Sequence, residues 1–111
     1  MTWVKLSDTF HDDPDVDALS MHAVATFAFV LSYCGRHLTD GHITRARVNR
    51  LARGKTSATR ELLDAGLLVT NGTDQSLLVR NWAKYQPTRA SVEKRREAWL
   101  HRQHKARGVT P

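Results

Sequence analysis

"ELLDAGLLVTNGTDQSLLVR" (residues 61–80) begins as a helix-like pattern, stops at Gly66 and continues as two short apolar runs around a polar tip. Gly66 suits the left-handed residue that closes a helix. The runs at 67–70 and 76–80 read as strands, and "NGTDQ" as the turn between them. Asn-Gly is a favoured turn pair because both residues tolerate positive φ. The segment therefore predicts a helix that passes directly into a β-hairpin.

Upstream lies "HITRARVNRLARG" (residues 42–54). Thr44 suits a helix N-cap, with Ile43 and Val48 placed for a hydrophobic staple. Val48, Leu51 and Ala52 form the inner stripe, Arg50 and Arg53 point away from it, Arg47 lies on its flank, and Gly54 ends the helix. A second helix follows, capped by Thr56 or Ser57. Ala58, Leu62 and Ala65 face inward, while Lys55, Thr56, Thr59, Arg60 and Asp64 face outward. Leu63 falls between the two faces. Helix, tight turn, helix, glycine and hairpin make an α+β, mainly α, winged helix-turn-helix, with the hairpin as its wing. Any small α+β domain with a hairpin shares part of this pattern.

Further out, "WVKL" (residues 3–6) predicts a short N-terminal strand. Asp13 and Pro14 open a short helical turn. Ser20 caps a long central helix in which Leu19, Ala23, Phe27, Val30 and Cys34 recur at helical spacing beside Val24, Ala28 and Leu31. After the hairpin, "NWAKYQP" sets Trp82 and Tyr85 three apart, both expected to pack on the core. Pro87 divides the winged-helix domain (residues 1–87) from a basic C-terminal helix or tail (residues 88–111). That helix has a thin apolar side of Val92, Trp99, Leu100 and Ala106, so it is weakly held without a partner.

The chain has 111 residues and a formal net charge of +6. The charge is uneven. Residues 1–40 carry two basic and six acidic side chains, residues 41–86 eight and three, and residues 87–111 seven and two. An acidic front and a basic back suit a polyanionic partner for the second half. No apolar run is long enough to span a bilayer and the N-terminus lacks a signal pattern. A lone cysteine, Cys34, cannot pair within the chain, which makes a reducing compartment, the cytoplasm, the expected setting. Cys34, His37, Asp40 and His42 match no structural zinc spacing, and His101 with His104 make no complete site. Asp12, Asp13 and Asp15 lack a second carboxylate cluster or a positioned base. Neither a phosphate-cradling glycine loop nor a nucleophile elbow is present. No enzyme activity, cofactor, metal or small-molecule substrate is expected.

Three motifs, in order, resemble a known family. "WVKLSDTFHDDPDVDAL", through Trp3, Lys5, Leu6, Phe10, Asp12, Asp13, Val16 and Leu19, is similar to the opening of phage replisome-organiser N-terminal domains, relatives of the DnaD primosome protein. "ELLDAGLLV" resembles their Leu-Leu-x-x-Gly-Leu junction before the wing. "NWAKYQP" resembles segments that follow the wing in phage and actinobacterial helix-turn-helix proteins. The resemblance covers roughly residues 2–87 and implies a winged-helix fold acting in DNA replication. Replication initiators of this kind continue into a second domain, where this chain has the basic helix.

Double-stranded DNA is the expected partner, in replication initiation or transcription control. Thr56, Thr59 and Arg60 would read bases and Arg47, Arg50, Arg53 and Lys55 would grip phosphates, all on one outer surface. Asp74, where a wing usually carries Arg or Lys, leaves only backbone-flanking contacts to the wing. Arg95 and Arg96 of the C-terminal helix make a candidate second DNA contact. The rival expectation is an interaction module, dimerising or docking a replication or transcription protein through Trp99 and Leu100.

Overall fold

The chain is built around the long apolar helix, because that segment alone has enough apolar width to be covered from several sides. The computed structural model describes residues 3–106. Helix α1 (Pro14–Asp17) opens at Asp13, whose carboxylate accepts from the Asp15 N–H at 2.8 Å. Helix α2 (Met21–His37) opens at Ser20, whose Oγ accepts from the Ala23 N–H at 3.1 Å. Ala23, Phe27, Val30, Leu31 and Cys34 of α2 are buried. Thr26 is buried among them and donates to the His22 carbonyl. Ala28, expected inside, is exposed. Phe10, in the turn before α1, stacks on Phe27 with ring centroids 6.1 Å apart.

The sheet has three antiparallel strands, β1 (His42–Thr44), β2 (Leu68–Asn71) and β3 (Thr73–Val79), in the order β1-β3-β2. Ile43 pairs with Leu77, and Val69 with Leu78. β1 is too short for alternation to reveal it. Burial of Ile43, Leu68, Leu77 and Val79 against α2 and the short helices makes one continuous core. The hairpin forms as expected, but its turn is tighter. Only Gly72 is left-handed (φ +83°), Asn71 is not, and Thr73–Gln75 continue the strand. β2 and β3 pair regularly as far as Thr70 and Leu77, the register then shifts, and Asn71 opposes Thr73 across Gly72, whose positive φ lets the chain reverse.

The expected strand at residues 3–6 does not form. Its β-rich side chains had suggested a paired surface. Instead Lys5 donates its N–H to Gln86 Oε1 at 2.7 Å and its carbonyl accepts from Gln86 Nε2 at 2.6 Å. One glutamine side chain takes the place of a partner strand. Val4 settles on α2 at Gly35, where any Cβ would collide with it.

Helix α3 (Arg45–Leu51) opens at Thr44, whose hydroxyl accepts from the Arg47 N–H at 3.2 Å. Arg53 and Gly54, both with positive φ, turn the chain into helix α4 (Thr56–Asp64). Neither Thr56 nor Ser57 caps α4. Lys55 holds that position and makes no side-chain capping bond. Ala58 and Leu62 are buried, Leu63 and Ala65 are half-buried, and Gly66 (φ +78°) ends the segment so that Leu67 and Leu68 turn into the core.

Helix α5 (Trp82–Tyr85) sends Trp82 inward, its indole N–H donating to the Pro87 carbonyl at 3.2 Å. Tyr85, expected to pack inside, is 56% exposed. So short a helix brings only one of its two rings into the core. Helix α6 (Arg89–Ala106) opens on a reciprocal pair, Thr88 N–H to Ser91 Oγ and Ser91 N–H to Thr88 Oγ1. Asp40 accepts from the Arg89 N–H at 2.7 Å. Val92 is buried and residues 93–100 are exposed. The side chains of His104, Lys105 and Ala106 lie outside the described residues. The whole is a small α+β protein, mainly helical. No helix among the described residues is long and apolar enough to cross a membrane.

Candidate nucleic-acid interface

Helix α4 is fixed against its neighbours by three contacts of different chemistry. Leu62 is fully buried in the core. The Thr59 hydroxyl donates to Asn49 Oδ1 of α3 at 2.6 Å. Glu61 receives the Ser20 N–H at 2.8 Å and the Ser20 hydroxyl at 2.7 Å, joining α4 to the start of α2. Those two bonds hold the Glu61 carboxyl below its ordinary value of 4.5. At the end of α3, His22 Nε2 donates to the Ala52 carbonyl at 2.7 Å.

Thr59 therefore cannot be the base-reading residue that the sequence pattern suggested. It is fully buried, bridging α3 and α4. One position on a short helix rotates by about 100°, enough to move a residue from flank to interior when two helices press on it. Thr56 and Arg60 remain exposed on α4, with Lys55 at its start. Asp64, also exposed, makes no ion pair with Arg60 among the described residues.

The arginines of α3 divide. Relative to buried Val48, Arg47 falls on the flank facing α2 and Asn49 on the flank facing α4. The Arg47 guanidinium stands 5.3 Å from the Tyr33 ring centroid, and that of Arg53 stands 5.0 Å from the Phe29 ring. Both thus lean on the aromatic edge of α2, Arg53 while still exposed, and Arg50 is exposed on the side of α3 away from the buried Val48. The five cations expected in one row differ in their contacts: Arg47 and Arg53 lie over rings of α2, whereas Arg50, Lys55 and Arg60, the rest of the α3–α4 group, are exposed without a ring contact among the described residues. None of the five pairs with a carboxylate among the described residues.

Arg45 escaped the sequence reading. It donates through Nε to the Asp74 carbonyl at 2.8 Å, joining the start of α3 to the hairpin tip. Its position directly after the Thr44 cap was a signal only of helix geometry. Asp74 itself is exposed near that tip. Arg80 is held by Asp15 at 3.0 Å.

On α6, Arg95 and Arg96 do not join the α3–α4 group. They line a groove with Trp3 and Trp99 that includes no residue of α3 or α4. Trp99 and Leu100 are 53% and 50% exposed. Near the end of α2, His37 lies against Tyr33 with ring centroids 4.5 Å apart, and Cys34 is buried. Comparison with protein families, curated proteins and solved structures gives no match for this chain.

Proposed function

We propose that this chain binds double-stranded DNA as a winged helix-turn-helix, with α4 as the helix that enters the major groove. The observation that carries the reading is the exposed set Arg50, Lys55, Thr56 and Arg60, with no salt bridge to a carboxylate among the described residues, on a helix pair that leads into a hairpin. The order α2, β1, α3, α4, β2, β3, with β3 central in the sheet, is consistent with the wing following the reading helix. The N–H groups at the start of α4 have no side-chain cap, which suits a phosphate there. Arg60 supplies a fork that fits guanine, worth about 1–3 kcal/mol of discrimination.

Arg47 and Arg53 serve at most as flanking phosphate contacts, stiffened by the rings beneath them. The wing lies along the backbone through Asn71, Thr73 or Gln75. The motif resemblances favour replication initiation or transcription control in a bacterial or phage-infected cell. Gel shifts with random and pooled genomic duplexes over a salt series test this reading. Arg50→Glu with Arg60→Glu should abolish the shift. No shift at low salt, or one indifferent to both charge reversals, would overturn it.

The exposure of Trp99 and Leu100 favours a second reading, docking of a protein partner or a second copy without DNA. It predicts a large loss of that docking with Trp99→Ala and no response to the α3–α4 reversals.

A further inference from the structure

We infer that the groove between the N-terminal segment and α5–α6 is a binding site for single-stranded nucleic acid, separate from the proposed duplex surface and independent of it. Three large rings from three parts of the chain line it: Trp3, Tyr85 and Trp99, exposed by 75%, 56% and 53%. Aromatic side chains dominate cores when they have a choice. Here they open together onto a cleft of about 1090 Å³. Its cations are Lys5, Lys84, Lys94, Arg95 and Arg96, and among the described residues no carboxylate lines it.

The groove's inner end is already ordered. The paired Lys5–Gln86 hydrogen bonds fix the N-terminal wall, and Trp82 to Pro87 fixes the floor. The Thr88–Ser91 pair and Asp40 set the start of α6. Along α6, Val92, Arg95 and Trp99 share one face by helical spacing. The buried Val92 therefore points the other two into the groove.

This combination discriminates between partners by chemistry. Unpaired bases offer flat faces to exposed rings while their phosphates meet the cations, whatever the sequence. In a duplex the base faces are stacked on one another, so the three rings would gain nothing. An acidic peptide would satisfy the cations and leave the rings without flat partners. The Lys84 ammonium lies 5.2 Å from the Tyr85 ring, so Trp3 and Trp99 are the principal stacking platforms. Arg95 and Arg96 thus belong to a single-strand contact.

The test uses the full chain, a short labelled oligothymidylate, a duplex of equal length and polyglutamate. Oligothymidylate should bind and quench tryptophan fluorescence. Trp3→Ala and Trp99→Ala should each weaken binding roughly 5- to 150-fold, whereas Trp99→Phe keeps most of it. Arg50→Glu with Arg60→Glu should leave it unchanged, which separates failure here from failure of the duplex reading. Both tryptophans are exposed, so the alanine variants should melt like the parent. Absence of oligothymidylate binding, or equal affinity in both alanine variants, would overturn the assignment. So would polyglutamate competing with the same tryptophan dependence, which would make the groove an acidic-peptide site.

Discussion

Thr59 illustrates how one hydroxyl changes role with its surroundings. Its bond to Asn49 crosses from α4 to α3 in a fully buried setting. Removing the donor leaves the amide oxygen unsatisfied, so Thr59→Ala should cost about 1–3 kcal/mol. A base-reading threonine would instead lower DNA affinity without lowering the melting temperature. Thr59→Ser should recover most of the loss. Glu61 offers a pH signature. Its carboxyl is held below 4.5 by the Ser20 hydroxyl and N–H, so its contribution is complete above that value in the native state. The contribution fades as pH falls through the depressed value. The melting-temperature gap between the parent and Glu61→Gln should be open near neutrality and close progressively in acid. Cys34 is buried, and burial pushes its thiol above the usual range. A thiol reagent at neutral pH should label it at the rate of opening rather than of chemistry. Denaturant should then accelerate labelling sharply.

At the scale of elements, α4 and α6 are opposites. α4 is short but held by the core, by Thr59 and by Glu61, so it can present Arg60 at a fixed angle. α6 is long but buries only Val92 among its described side chains. Truncation after Glu93 should leave the melting temperature almost unchanged. Val92→Ala should cost about 1.5 kcal/mol, from two buried groups at roughly 0.8 kcal/mol each. A large loss from the truncation would mean that α6 packs more intimately than its exposure indicates. The hairpin, with Gly72 as its one left-handed residue, should also tolerate Asn71→Ala with little change in stability. A turn needing positive φ at both positions would not.

Over the whole molecule, the acidic and basic parts separate along the chain, with most acidic side chains before residue 41 and the cations after it. Long-range steering by such an asymmetry weakens steeply with salt. If Arg50, Lys55 and Arg60 each neutralise a phosphate, log affinity for duplex should fall with log salt by roughly 0.9 per contact. Arg50→Gln should then flatten the slope by about 0.9, and Arg47→Gln, whose guanidinium rests on Tyr33, by less. Equal flattening from both would mean that the α2 edge also lies against the DNA.

Much of this protein was determined locally and was therefore legible. Ser20, Asp13 and Thr44 cap because a short oxygen-bearing side chain at the right step is enough, and Gly66 stops α4 because its backbone conformation favours glycine. The apolar spacing around Phe27, Val30 and Leu31 defined the central helix without reference to any neighbour. Tertiary contacts decided the rest. β1 exists because β3 pairs with it, and residues 3–6 stay irregular because Gln86 satisfies them first. Whether Thr59 faces in or out depended on how α3 crosses α4. The partition of the arginines depended on Phe29 and Tyr33, residues remote in sequence from Arg47 and Arg53. Capping and periodicity act within a few residues of chain, whereas strand pairing, burial of a flank and the gathering of three tryptophan and tyrosine rings around one groove require the folded arrangement itself.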